Sequence, residues 1–299
     1  MSRRIQWTGI TCLFLSVSGS LPATAQEMLT WKFTTDDVFF VEEVVIQKQS
    51  VTIADRTDTK ETKQTTITRY QVLDVSPNGD VDLEITIDSI IDEGGQPTAI
   101  ARRIAGSKFG MTLGADGKLS RFDGYASFVK RVANGNVQFE RLFQSVLNED
   151  TLRQTMVQLL TAVPRKSVQR GQSWQQKQSL NVGPFGTLNV DRTFEHKGVA
   201  DRDGISVVDL ELRGVAEYQL PDPNTSRLPF KISQGSLQVD QFRGTGTYDL
   251  ARQRLNQLSV TLHVSGSLTI SVGPQKAELT IDQSQSSTLR VLDKSPRGR

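Results

Sequence analysis

The feature of this sequence that most constrains its fold is long alternation between apolar and polar residues. In residues 81–88, Val, Leu or Ile occupies every odd position, and Asp, Glu or Thr occupies every even one. Six apolar residues in 260–272 likewise share one parity around Gly266, which fits two strands joined there or one strand bent there. Because alternate residues of a strand face opposite sides of a sheet, this pattern predicts sheets with one buried and one wet face. The predicted fold class is mainly β.

Turn signals between the alternating runs predict that the sheets are antiparallel. Asn78-Gly79, Asp116-Gly117 and Asp203-Gly204 each separate two such runs. These residues tolerate the positive φ that tight hairpins require.

Residues 122–163 follow a different period and predict a helical segment. Tyr125, Phe128 and Val129 have helical spacing. A further helix is predicted to start at the N-cap Asn148 and to stop before Pro164.

The β-rich parts on either side of this segment share weak similarities. Aromatic residues mark strand starts at Phe39 and Trp174, and aromatic strands follow at Tyr70 and Phe194. We therefore predict two curved, half-barrel-like β units, at 26–121 and 164–292, that arose by duplication or that resemble each other by chance. Only the first unit has a long polar hairpin, residues 44–67, which is predicted to project into solvent and could alternatively serve as a partner-binding edge.

The chain begins with a predicted secretory signal peptide, residues 1–25. Arg3 and Arg4 precede an apolar run, and Ala23-Thr24-Ala25 is a small-x-small cleavage site. The apolar run is shorter than the ~20 residues of a spanning helix, so cleavage is favoured over anchoring. Cys12, the only cysteine, lies in this segment, so we expect the mature chain to have no disulfide, thiolate metal site or cysteine nucleophile. The Pro/Gly-containing tail, residues 293–299, is predicted to be disordered.

The charge balance argues against nucleic acid and acidic membrane surfaces as partners. The chain has 35 basic and 33 acidic residues, and the signal peptide contains two arginines and no acid. The mature protein is therefore balanced in charge, with no dense basic stripe. No segment after the signal peptide is apolar enough to span a membrane.

No motif predicts a catalytic, cofactor-binding or metal-binding residue, and the binding residues are unknown. The two histidines, His196 and His263, lack a zinc or triad pattern and are interpreted as surface or packing residues. Four acids, Asp80, Asp82, Glu84 and Asp88, fit a solvated strand face better than a calcium site. Asp201–Gly204 and residues 183–186 are interpreted as turns, and Asn224-Thr225-Ser226 is a formal glycosylation sequon.

Three short stretches carry a resemblance to a known family. They are Leu29-Thr30-Trp31-Lys32-Phe33 leading to Asp37-x-Phe39, the stretch from Pro164 to Trp174, and Gly183-Pro184-Phe185-Gly186-Thr187-Leu188. The chain resembles an uncharacterised family of secreted bacterial β-rich proteins without an assigned activity. The resemblance implies export and a β-rich fold, and it transfers no functional residue.

The function that we expect is that of an exported, non-enzymatic protein, located in the periplasm or outside the cell. It would bind an unknown protein or an apolar ligand on a curved sheet surface, without a cofactor. One alternative is a structural or surface-assembly module that acts through sheet edges. A less favoured alternative is a hydrolase with two facing carboxylates.

Overall fold

The protein is mainly β, as its alternating pattern predicts, and its described residues form a large antiparallel sheet and four short helices. The computed structural model describes residues 26–53, 55–181, 186–221 and 231–296. The predicted signal peptide, the loop residues 183–185 and the sequon lie outside the described residues. The strands are β1 Gln26–Leu29, β2 Val38–Ile53, β3 Arg56–Val75, β4 Val81–Asp92, β5 Lys108–Leu113, β6 Leu119–Asp123, β7 Lys166–Gln169, β8 Ser173–Asn181, β9 Thr187–Arg202, β10 Ile205–Gln219, β11 Lys231–Asp249, β12 Arg254–Val272 and β13 Gln275–Leu292. The helices are α1 Ala99–Ile104, α2 Tyr125–Ala133, α3 Val137–Val146 and α4 Glu149–Val157.

Eleven of these strands form one continuous sheet. Its order is β6-β5-β4-β3-β2-β13-β12-β11-β10-β9-β8, so that nearly every strand pairs with its neighbour in sequence. The exception joins the two predicted β units: β13 pairs with β2 from Leu292↔Phe40 to Leu279↔Ile53. The strands of both units therefore belong to one sheet. β12 is a single strand through Gly266, whose φ is 153°.

The two remaining strands form a small antiparallel pair. β1 and β7 are in register from Gln26↔Gln169 to Leu29↔Lys166. The buried Tyr248 hydroxyl on β11 accepts a hydrogen bond from the Thr30 amide at 3.1 Å and donates to the Thr30 carbonyl. This contact fastens the segment after β1 to the main sheet.

One face of the sheet carries the core, and the helices cover part of that face. Leu83, Ile85, Phe109 and Met111 from β4 and β5 are fully buried with Val129 of α2. A smaller apolar cluster lies apart from this core, around Ile232, Leu268 and Leu279. Helix burial follows the predicted amphipathic pattern, because Phe128, Val129 and Val132 face the sheet while Lys130 and Arg131 are exposed.

Helix termini follow local sequence signals where these are strong. The Asn148 side chain accepts a hydrogen bond from the Thr151 amide at 2.9 Å, which confirms the predicted N-cap of α4. α4 ends at Val157, several residues before Pro164. The sequence did not predict α1, because six residues give too little periodic signal, although Thr98 caps it by accepting from the Ala101 amide.

The predicted hairpin turns are present at Gly79, Gly117 and Asp203-Gly204. All four residues have positive φ, between 54° and 87°. At the last turn the Asp201 carboxylate also accepts from the Gly204 amide at 3.0 Å, as Asp side chains do in turns.

The polar hairpin formed by β2 and β3 is part of the main sheet and is not an isolated two-stranded projection. β2 pairs with β3 on one side and with β13 on the other along nearly its whole length. On β3, however, pairing with β4 begins only at Gln64↔Asp92. Residues 56–63 are exposed and form an edge, so this part is solvated as predicted.

The aromatic residues that are similar between the two β units have the same local arrangement. Phe39 and Tyr70 are register partners whose rings stack with centroids 4.9 Å apart. Trp174 and Phe194 are likewise register partners, stacked at 5.5 Å. The backbone repeats as well: Asp36 N donates to Val72 O, and Gly171 N donates to His196 O. His196 in the second unit therefore corresponds in position to Val72 in the first unit.

Among the described residues, no helix is long and apolar enough to cross a membrane. Asp293, the first residue of the predicted disordered tail, forms ion pairs with Arg252 and Arg254. Residues 297–299 lie outside the described part of the chain.

Candidate functional site

An open groove of about 1260 Å³ follows β9, β10, β11 and β12. Leu210 and Leu212 of β10 are buried in the core. Because strand residues alternate between faces, Asp209, Glu211 and Arg213 lie on the opposite face and give the groove its charge. We call this cavity the outer groove.

Asp209, Glu211 and Arg213 are paired with opposite charges in the lining of the outer groove. Glu211 accepts from Lys197 at 3.0 Å and from Arg213 at 2.6 Å. These hydrogen bonds lower the pKa of Glu211 and raise the pKa of Arg213. The pKa of Lys197 is raised first by its hydrogen bond with Glu195 and then by the one with Glu211. Arg202 binds both carboxylate oxygens of Asp209. The groove therefore presents fixed charges of both signs with hydroxyl and amide groups beside them, from Thr245, Thr247, Gln257, Ser259 and Thr261.

A glycine on β10 shapes the core-side face behind the groove. A Cβ on Gly214 would lie 1.8 Å from Cδ1 of Phe242. The Phe242 ring from β11 therefore lies directly against the β10 backbone. This position brings the ring centroid within 5.8 Å of the Arg192 guanidinium on β9, a cation–π distance.

Arg192 is a buried cation without a described carboxylate partner. Its exposure is 7%, and it shares the core-side parity of Val190 and Phe194. One terminal nitrogen donates to Gln178 Oε1 at 2.7 Å, and Gln158 can turn its amide oxygen toward the same guanidinium. The Nε atom has no hydrogen-bond partner among the described residues. Burial lowers the pKa of Arg192 to about 10.

A second cavity, of about 380 Å³, lies beside Arg192. It is bounded by α4 and the turn after it, through Gln154, Val157, Gln158 and Thr161, and by β8 and β9. Gln176 and Gln178 come from β8, the edge strand of the sheet. Gln176 donates from its amide to the Thr161 carbonyl. We call this space the Arg192 cavity.

The structure places the two histidines in different surroundings. His196 is 1% exposed, and its Nε2 lies 2.9 Å from Glu27 Oε2 on β1. His263 is on the polar face of β12, where Nε2 lies 3.3 Å from Asp282 and Nδ1 lies 3.8 Å from Asp240. His196 and His263 lie on different strands and contact different carboxylates, so the structure does not bring the two histidines together in one site.

The acids singled out on β4 lie on its outward face, as predicted. Asp82 contacts Arg121 at 3.4 Å, and Glu84 contacts Lys108 at 2.9 Å. Across the described parts of the chain, no group of three or more His, Cys, Asp or Glu side chains is placed to hold a metal ion. Residues Asp201–Gly204 form the β9–β10 turn.

Trp31 and Trp174, which could have formed an exposed platform, are both buried. Each packs against neighbouring aromatic rings, Trp31 against Phe33 and Phe39, and Trp174 against Phe194.

Sequence reasoning did not find Arg192 or the outer groove. The signal for Arg192 was available, because a basic residue stands between Val190 and Phe194 at the parity of the buried face. That parity alone does not show whether a carboxylate on another strand neutralises the arginine.

Comparisons with known proteins bear on family but not on activity. No curated protein matches the chain. Among solved structures, a DUF1329 family protein from Desulfovibrio piger aligns at 12% identity over 89% of this chain and 88% of its own, with a TM-score of 0.13. OccK11 (OpdR) from Pseudomonas aeruginosa aligns at 7% identity over 90% and 99%, with a TM-score of 0.14. At these TM-scores the two alignments establish no common fold. Residues 68–208, from β3 to β10, match the family of unknown function DUF6263, which confirms that the chain resembles a family without an assigned activity.

Proposed function

We propose that this is an exported, non-enzymatic protein that binds a polypeptide segment of a partner protein in the outer groove. The observation that carries the proposal is the groove itself, about 1260 Å³ of open space along four strands with Asp209, Glu211 and Arg213 in its lining. Pockets of this order hold ligands of drug size or larger. Fixed charges of both signs favour a partner that carries complementary charges.

The lining favours a polypeptide over an apolar ligand or a sugar. Charged, hydroxyl and amide side chains dominate the outward positions of the groove, and an apolar ligand would withdraw them from water without offering them hydrogen bonds. Carbohydrate sites use aromatic faces as platforms. Phe242 is the aromatic residue in this lining, and its ring is packed against Gly214 and beside Arg192.

The hydrolase alternative finds little support in the groove. A glycosidase needs one carboxylic acid with a raised pKa. Here Glu211 is held by two cations that lower its pKa, and Asp209 is bound at both oxygens by Arg202. With its pKa lowered in this way, Glu211 is not suited to donate a proton near neutral pH.

The second candidate function is assembly through sheet edges. The strand edges with unpaired backbone in the described sheet include β6, β8 and residues 56–63 of β3. The last stretch contains Asp58, Lys60, Glu61 and Lys63, and charged side chains on an edge oppose pairing with another strand. We therefore place groove binding first.

Site-specific photo-cross-linking in the native host tests the groove proposal. A cross-linking residue replaces Thr245, which lines the groove, or Ser120, which is exposed on β6 and remote in sheet order. We expect a discrete protein adduct from the first position and none from the second. Mass spectrometry of the adduct and of co-purifying material would identify the partner.

Charge reversal supplies the control for this experiment. Arg213→Glu should abolish the adduct, because it breaks the contact with Glu211 and inverts the local charge. Arg121→Glu is the matched variant, since Arg121 is also exposed and paired with carboxylates, Asp82 and Asp123. An adduct that survives Arg213→Glu, or that forms equally from Ser120, would contradict the proposal.

Export and duplication are part of the same proposal. Export is proposed because residues 1–25 resemble a signal peptide. The mass of the mature protein isolated from its host tests this, with cleavage expected after Ala25.

Duplication of the β unit is supported by the matching register and stacking of Phe39–Tyr70 and Trp174–Phe194.

A further inference from the structure

The Arg192 cavity contains a charge that the described protein does not neutralise. Arginine keeps its proton at neutral pH, and its guanidinium is withdrawn from solvent at 7% exposure. Moving a charge out of water is costly unless a counter-charge and hydrogen bonds compensate for it. Among the described residues, the groups within hydrogen-bond or cation–π distance of Arg192 are neutral: two glutamine amides and the Phe242 ring.

Two other charges that are largely withdrawn from solvent are paired. Asp249 is 2% exposed, and its carboxylate lies 2.9 Å from Arg252. Arg254 is 15% exposed at its side chain and pairs with Asp293. In contrast to Asp249 and Arg254, Arg192 has no ionic partner among the described residues, and its buried Nε atom makes no hydrogen bond with any of them.

The space beside Arg192 suits a small polar group. Its volume of about 380 Å³ lies within the range of small-molecule sites. Gln154, Gln158, Gln176 and Gln178 line it, and each amide can present an NH₂ donor or a carbonyl acceptor. Gln154 Oε1 is itself buried without a partner among the described residues. Val157 adds an apolar wall.

We propose that the Arg192 cavity binds a singly charged oxyanion, a carboxylate or a phosphodiester, on the Arg192 guanidinium. The planar guanidinium matches two oxygens of such a group and forms charge-assisted hydrogen bonds with them. One guanidinium balances one negative charge. The nearest further cation in the lining, Lys177, is exposed and pairs with Asp191 at 3.4 Å. The glutamine amides supply the remaining donors. A free organic acid and a lipid headgroup both carry such an anion, and the test separates these sources.

The first arm of the test uses the mature wild-type protein. Sodium octanoate, its neutral counterpart 1-octanol, sodium acetate and vesicles of phosphatidylglycerol are the probes, measured by calorimetry, thermal unfolding and co-sedimentation. We expect octanoate to bind and to raise the unfolding temperature while 1-octanol does not. Binding of the vesicles without binding of octanoate would assign the anion to a lipid headgroup.

The second arm compares Arg192→Gln with Arg254→Gln. Arg192→Gln should weaken anion binding at least tenfold and, in the absence of anion, raise the urea midpoint because it removes an unpaired buried charge. Arg254→Gln should leave binding unchanged and lower the midpoint, because it breaks the pair with Asp293. A purely structural role for Arg192 predicts a lower midpoint and unchanged binding.

The proposal is overturned if none of the anionic probes binds at millimolar concentration, if 1-octanol binds as well as octanoate, or if Arg192→Gln binds the anion as well as wild type. If Arg192→Gln fails to fold, the comparison of octanoate binding with 1-octanol binding to the wild-type protein still tests the proposal. Failure here leaves the groove proposal intact, because the outer groove lies on the opposite face of the sheet.

Discussion

His196 Nε2 lies 2.9 Å from Glu27 Oε2, so β1 is hydrogen-bonded to β9 across a separation of 169 residues. His196 is 1% exposed and the Glu27 side chain 13% exposed. The corresponding position in the first β unit holds the buried Val72. The second unit thus has a polar contact where the first has an apolar one.

This contact predicts a non-additive pair of substitutions. His196→Leu alone should destabilise the fold by about 3 kcal/mol, because it leaves the Glu27 carboxylate buried without a partner. The double variant Glu27→Leu with His196→Leu should return to within about 1 kcal/mol of wild type. Urea unfolding of the wild type, both single variants and the double variant measures the coupling.

The exposed pair Lys108–Glu84 is the control for this cycle. Lys108→Gln should cost less than about 1 kcal/mol, as exposed ion pairs usually do. If His196→Leu costs no more than Lys108→Gln, the contact with Glu27 does not stabilise the fold.

Burial of Tyr70 predicts loss of stability at alkaline pH. Burial, with a further contribution from the charge of Glu43, raises the pKa of Tyr70 above its ordinary value of 10.0. The folded state therefore holds this proton more tightly than the unfolded state. Its contribution to stability is complete below about pH 10 and decreases as the pH rises above that value.

Tyr70→Phe removes this titration. Above pH 10 the stability of wild type should fall more steeply than that of the variant, by about 1.4 kcal/mol per pH unit. Urea unfolding between pH 8 and 11.5 measures both slopes. Tyr125→Phe is the control and should change the slope less, because Tyr125 is only partly buried. If the free energy of unfolding decreases equally with pH above pH 10 in wild type and Tyr70→Phe, the titration of Tyr70 does not cause the alkaline loss of stability.

The close approach at Gly214 predicts that a single methyl group is not tolerated there. Gly214→Ala would place Cβ 1.8 Å from the Phe242 ring and force the ring away from Arg192. We expect a loss of about 1 to 3 kcal/mol, as for overpacked sites. Gly110→Ala is a matched strand variant, because its Cβ would meet nothing closer than 3.5 Å. Similar unfolding midpoints for the two variants would contradict this packing.

The edge at residues 56–63 predicts that its lysines prevent self-association. Lys60→Val with Lys63→Val should produce larger species in light scattering, because the backbone there is free to pair with a second copy. Lys48→Val with Ser284→Val alters exposed residues on β2 and β13, which are paired on both sides. This control should stay monodisperse. If the two double variants have the same mass distribution, the charged edge does not govern association.

Local sequence was sufficient for much of the architecture. Alternation in residues 81–88 gave the buried and wet faces of β4, because strand geometry sets a period of two. Asn148 gave a helix start, and the Asp-Gly and Asn-Gly pairs gave turns, because caps and positive φ depend on residues close in sequence. Six-residue α1 lay below the length at which periodicity is informative.

Contacts between distant parts of the chain required the tertiary structure. The pairing of β13 with β2, which merges two units into one sheet, depends on strands more than 200 residues apart. For Arg192, the sequence determined a basic residue at the parity of a buried face, whereas the fold decided that neutral glutamines and Phe242 surround it. Whether a charge is neutralised depends on which side chains meet in space, and that information is not local.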